Sequence, residues 1–77
     1  MNISGLVVRT LPASLMAVNR ALGDLPGVEV HGQSNIGNLV VTVEQQGREA
    51  INQTLAAIEN TKDVLATSLV YHEELED

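Results

Sequence analysis

Four residues of this 77-residue chain could do chemistry: His31, His72, Ser68 and Arg9. His72 is followed by Glu73 and Glu74, which supplies the right atoms for a metal. A lone histidine in an acidic run is, however, more often solvated than ligating. Ser68 becomes a nucleophile only beside a base, and His31 is the one internal histidine that could serve. Both read better as strand residues on one sheet. Arg9 closes an apolar run, where a phosphate-handling enzyme would follow it with a glycine-rich cradle. Thr10-Leu11-Pro12 stands there instead, and Gly5, Gly27, Gly32, Gly37 and Gly47 have no phosphate-loop spacing. The chain has no cysteine, which removes disulfides, thiolate nucleophiles and Cys-x-x-Cys metal transfer together. The side chains point away from catalysis: the expectation is a protein that is not an enzyme and uses no metal.

Composition narrows the partners. Four basic residues face ten acidic ones, for a formal charge of −6. Nucleic-acid binding needs clustered Lys and Arg, and base stacking needs aromatic platforms; here Tyr71 is the sole aromatic residue. An acidic surface favours a basic partner. Met1-Asn2-Ile3-Ser4-Gly5 lacks the positive start of a signal peptide, and no apolar run approaches the ~20 residues of a membrane span. The expected location is the compartment of synthesis.

The elements that must position these residues follow from periodicity. Ile3 to Arg9 reads as a strand apolar on both faces. Thr10-Leu11-Pro12 starts a helix, with Pro12 in the first turn where its missing N–H costs nothing. Leu11, Leu15, Val18, Leu22 and Leu25 form its apolar stripe, and Leu25-Pro26-Gly27 ends it. Val28 to Gln33 alternates as a half-buried strand, Ser34 to Gly37 turns, and Asn38 to Glu44 returns as an antiparallel partner. Ile51, Leu55 and Ile58, widened by Ala50, Thr54 and Ala57, make the stripe of a second helix. Val64 to His72 is the last strand, so apolar on both faces that neither is expected to lie in water, and it closes the sheet against the first strand. Glu73 to Asp77 reads as a frayed acidic tail.

The order βαββαβ predicts an α+β, ferredoxin-like sandwich: a four-stranded antiparallel sheet with both helices on one face. One domain spans 1–72, with a tail at 73–77. The first and third strands lie centrally, the second and fourth at the edges, with the fourth beside the first. The other face of the sheet is left open. With Leu6, Val8, Leu39, Val41 and Val43 turned to the helices, Gly5, Val7, Arg9, Val40, Thr42, Ala66, Ser68 and Val70 turn outward, and so do Glu29, His31 and Gln33. This open face is small or apolar at its centre and polar at its margins, as interaction surfaces are. Small Gly5, Ala66 and Ser68 would admit an incoming helix. The candidate binding residues are Val7, Arg9, His31, Val40, Thr42, Ser68 and Val70.

Four words then carry a resemblance: Gly5-Leu6-Val7-Val8, Leu25-Pro26-Gly27-Val28-Glu29-Val30, Gly37-Asn38-Leu39-Val40-Val41-Thr42-Val43-Glu44, and Val64-Leu65-Ala66-Thr67-Ser68-Leu69-Val70-Tyr71-His72 followed by Glu73-Glu74. In this order and spacing the chain resembles the NapD family of assembly chaperones for periplasmic nitrate reductase. Ser68 to His72 with the acids behind it is the specific part. Gly5 departs from the serine expected there, and the tail is short. The resemblance implies a cytoplasmic protein that binds the twin-arginine signal peptide of the nitrate reductase catalytic subunit. It would delay export until that subunit is folded and loaded with its molybdenum cofactor. It implies no cofactor or small-molecule ligand for the chaperone itself. Two other readings of the fold are an ACT-like ligand-binding module and a structural homodimer module. The first is disfavoured because no glycine-rich ligand turn follows the first strand.

Overall fold

The computed structural model describes residues 1–75. Strand β1 runs Asn2–Thr10, followed by a 3-10 turn at Pro12–Ser14 and helix α1 at Leu15–Gly23. Strands β2 (Val28–Ser34) and β3 (Asn38–Gln45) form a hairpin, and helix α2 (Arg48–Glu59) leads to β4 (Val64–Glu74). The strands lie in the order β2-β3-β1-β4 in one sheet, and all neighbours are antiparallel. This is the α+β ferredoxin-like arrangement that the pattern of stripes predicts.

The core is a layer between helices and sheet. Leu15, Val18 and Leu22 of α1 and Ile51 and Ile58 of α2 meet Leu6 and Val8 of β1 and Leu39, Val41 and Val43 of β3. Val28, Val30, Leu25, Leu55 and Val64 pack against its rim. Thr54 sits among these apolar groups, with its hydroxyl donating to the Ala50 carbonyl at 3.0 Å. That bond within the helix satisfies the buried polar group.

Several expectations are corrected. Leu11 is no part of the α1 stripe and is 55% exposed. It precedes Pro12, whose ring disfavours helical backbone at the residue before it. Leu11 accordingly sits at ψ 141°, extended, and its side chain leaves the helical register. Strand β4 takes the edge place beside β1 that the strand order predicts, but it is mostly exposed rather than buried on both faces, and only Val64 of it joins the core's rim. Its length explains this. Eleven strand residues reach ~36 Å, whereas the twelve residues of α2 span ~18 Å, so the helix cannot cover the whole strand.

The acidic tail begins later than its composition suggests. Glu73 pairs with Ile3 and Glu74 with Asn2, two residues past the expected boundary at 72. Leu75 N–H donates to the Met1 carbonyl at 2.7 Å, and the Arg48 guanidinium donates to Glu74 at 3.0 Å. The expectation of fraying at Glu76 and Asp77 lies outside the described residues.

The hairpin turn is pinned by the end of β1, the strand next to β3. Gly37 takes φ 103°, a conformation that other residues rarely adopt. Its carbonyl accepts from Thr10 N–H at 2.7 Å, so a side chain at Gly37 would run into the Thr10 backbone.

Candidate functional site

Registry defines the open face row by row. Across β3, β1 and β4 the first row is Glu44, Ile3 and Glu73. The second adds β2: Glu29, Thr42, Gly5 and Tyr71. The third is Gly32, Val40, Val7 and Ser68, and the fourth is Ser34, Asn38, Arg9 and Ala66. Neither helix packs on this side, because the alternate residues Leu6, Val8, Leu39, Val41 and Val43 carry the core.

Two bulges shape the face. In β2 the pairing jumps from Val30 to Gly32, which leaves His31 as the extra residue. His31 lies on the open side, with Nε2 hydrogen-bonded to Thr42 Oγ1 at 2.6 Å and 3.8 Å from the Glu29 carboxylate. The extra residue also inverts the alternation that follows it. Gln33, expected outward, therefore faces the helices and accepts from Asn19 of α1 at 3.1 Å.

In β4 the pairing jumps from Leu69 to Tyr71, opposite Leu6 and Gly5. Leu69 and His72 are both on the helix side, so Val70 shares the open side with Tyr71. Val70 is 65% exposed. The Tyr71 ring lies on Gly5, so closely that an added methyl would overlap it. The notch expected at Gly5 for an incoming helix is thus already filled.

All seven residues singled out from sequence fall on this face. Val7 and Val40 are direct partners at its centre, with Ser68 on the other side of Val7. Thr42 and His31 form one hydrogen-bonded unit towards β2. Arg9 is exposed at the end of β1, and Val70 lies over the β4 bulge. Tyr71 shares this face and is not among the seven. Its only signal in the sequence was its status as the sole aromatic.

The arrangement offers no catalytic centre among these residues. Ser68 in β4 and His31 in β2 are separated by two intervening strands, ~14 Å at the usual strand spacing, too far for a base to serve a nucleophile. His72 lies on the other side of the sheet, where its Nδ1 is hydrogen-bonded to the fully buried Ser4 hydroxyl at 2.7 Å. Alternation puts Glu73 on the opposite face, so the three consecutive donors His72, Glu73 and Glu74 do not converge. Among the described residues no group of three potential metal ligands is gathered, and no helix is long and apolar enough to cross a membrane. What the face presents is a shallow apolar surface with acids along one end.

Comparisons with known proteins agree with this architecture. The family model "NapD protein" matches residues 1–76. The chain is 35% identical over 75 residues to "Chaperone NapD" of Escherichia coli K12, covering 96% of this chain and 86% of that protein. The same identity and coverage hold for "Chaperone NapD" of Shigella flexneri. Among solved structures, the solution structure of the E. coli Tat proofreading chaperone protein NapD superposes with a TM-score of 0.86 at 35% identity. That match covers 96% of this chain and 79% of the other. The chain belongs to the NapD family, a family of chaperones rather than of enzymes.

Proposed function

We propose that this protein binds, on the open face of its sheet, the twin-arginine signal peptide of the catalytic subunit of periplasmic nitrate reductase. It acts in the cytoplasm and holds the precursor back from export until the subunit has its cofactor and is folded. The observation that carries the reading is the uncovered apolar centre made by Val7, Val40, Val70 and Tyr71, in a chain of this family. A peptide with an apolar stretch buries it there, and the four strands beneath supply a rigid base. The acidic balance of the chain suits the basic end of the same peptide.

The test uses one intrinsic probe. Tyr71 is the only fluorescent residue in a chain without tryptophan, and it sits on the proposed face. A synthetic twin-arginine peptide without aromatic residues is expected to change its emission on binding. Val40→Glu and Ser68→Arg should abolish binding, with urea unfolding shifted by no more than about 0.5 kcal/mol, as for surface positions. Ile58→Ala, in the core, should cost about 2–5 kcal/mol while the folded fraction still binds. Folded face variants with normal affinity would move the site elsewhere. The alternative surface is the groove between α2 and β4 lined by Leu55, Ile58, Glu59 and Leu69.

A further inference from the structure

The open face is not symmetric along its strands. At one end Ile3 is flanked by Glu44 on one neighbour and Glu73 on the other. The two carboxylate-bearing residues thus stand one strand to either side of Ile3, ~10 Å apart at their backbones. Both are exposed, and neither forms an ion pair among the described residues. Glu29 follows in the next row, already near His31. At the other end stands Arg9, exposed, between Asn38 and Ala66, with no acid in its row. The uncharged track Ile3, Gly5, Val7 joins the two ends along β1.

Two other cations stand near the acidic end. Arg48 lies towards the helix side and is held by Glu74 at 3.0 Å. The Met1 ammonium donates to the neutral Leu75 carbonyl at 2.9 Å and keeps its charge, one against the three carboxylates Glu29, Glu44 and Glu73. At the Arg9 end, Lys62 and Asp63 are adjacent in the turn before β4 and offset one another. The face therefore has a negative end, an apolar middle and a positive end.

Resting on the peptide-binding reading above, we propose that this polarity fixes the direction in which the peptide lies. The arginine pair sits over the Glu44–Ile3–Glu73 row. The apolar stretch that follows it runs along β1, over Val7 and Val40, towards Arg9. Export signals carry their basic residues before a 7–15-residue apolar segment, so the peptide has a matching polarity of its own. Lengths agree as well. The six residue steps from Ile3 to Arg9 measure ~20 Å, and a helix of about 13 residues covers the same distance. Turned around, the peptide would press its arginines against Arg9 and leave Glu44 and Glu73 facing its apolar end.

The experiment places a nitroxide on the peptide and reads amide broadening in the labelled full chain. The chain has no cysteine, so a single cysteine in the peptide takes the only label. A label beside the arginine pair is expected to broaden Ile3, Glu44 and Glu73 and to spare Arg9, Asn38 and Ala66. A label beyond the apolar stretch should give the converse. In parallel, Glu44→Gln and Glu73→Gln should each lower affinity by up to about five-fold, the range of an exposed ion pair. A peptide with its arginines replaced by glutamine should lose little more in the double variant. The converse broadening pattern would overturn the direction while leaving the face as the site. Broadening confined to other surfaces would overturn the binding reading itself, and the direction with it.

Discussion

Tyr71 and Gly5 face each other across β4 and β1, and the ring takes the space that a side chain at position 5 would need. Aromatic rings covering a cross-strand glycine are a known way to make good its missing side chain. The backbone at Gly5 does not require glycine, because its φ lies outside the left-handed region. Gly5→Ala should therefore have opposite signs in two backgrounds. In the parent chain the methyl pushes the ring away, with a cost of about 1–3 kcal/mol as for overpacking. In a Tyr71→Ala background the space is free, and the same change should stabilise by about 0.5–1 kcal/mol by stiffening the chain. Urea midpoints of the four proteins read the coupling; simple additivity would mean the ring does not rest on Gly5. This contact was not legible beforehand. A period of two pairs residues correctly only until a bulge, and Leu69, Val70 and Tyr71 carry no glycine or proline to mark one. The same blindness reversed Gln33, which follows the extra residue at His31. By contrast Val7, Val40 and Thr42 lie on β1 and β3, whose mutual register is unbroken from Asn2 to Arg9, and alternation alone placed them outward.

Strand β4 shows where composition misleads at the scale of an element. Its run of Val, Leu and Tyr reads as a strand buried on both sides, yet most of it is exposed and its later part extends beyond what α2 can cover. Hydrophobicity reports a tendency to leave water, not the presence of a partner, and a domain this small lacks enough helix to cover every apolar face. The strand's end departs from its composition in the opposite sense. Glu73 and Glu74 look like solvated tail, but backbone pairing is indifferent to side-chain charge, and exposed positions on an edge strand accept carboxylates without desolvation. Ending the chain at His72 therefore removes structure, not slack. It deletes the pairing to Asn2 and Ile3, the Leu75 bonds to Met1 and the Arg48–Glu74 contact. Amide exchange at Asn2 and Ile3 should rise while Leu39 to Val43 stay protected by their pairing with β1 and β2. The stability loss should be about 1–3 kcal/mol, mostly from backbone hydrogen bonds at ~0.5–1.5 kcal/mol each. The exposed ion pair adds little, so Arg48→Ala alone should change stability by less than about 1 kcal/mol. Unchanged exchange at Asn2 and Ile3 after truncation would restore the frayed-tail reading.

For the molecule as a whole, the excess of six negative charges over an 8.2 kDa chain acts on folding and on binding with opposite signs. Within the folded chain, like charges repel, and the compact state feels this more than the unfolded one. Added salt screens the repulsion, so the urea midpoint should rise as ionic strength rises. Between the chain and a basic peptide the charges attract, and the same screening weakens that attraction. Affinity should therefore fall with salt, most steeply up to about 0.15 M, where the screening length has shrunk to ~8 Å. That is comparable to the distance between rows on the open face, so distant carboxylates stop contributing first and Glu44 and Glu73, nearest the arginine pair, persist longest. The residual affinity at high salt belongs to the apolar centre, and Val40→Glu should remove it. Calorimetric titrations and urea unfolding over one salt series, on the parent chain and on the Glu44→Gln, Glu73→Gln double variant, separate these effects. The double variant should bind more weakly at low salt, respond less to added salt, and converge on the parent at high salt. Its midpoint should also rise slightly, because two like charges have gone. An affinity in the parent chain that does not depend on salt would leave the negative charge with a role in solubility alone, and would place the whole of peptide recognition on Val7, Val40, Val70 and Tyr71.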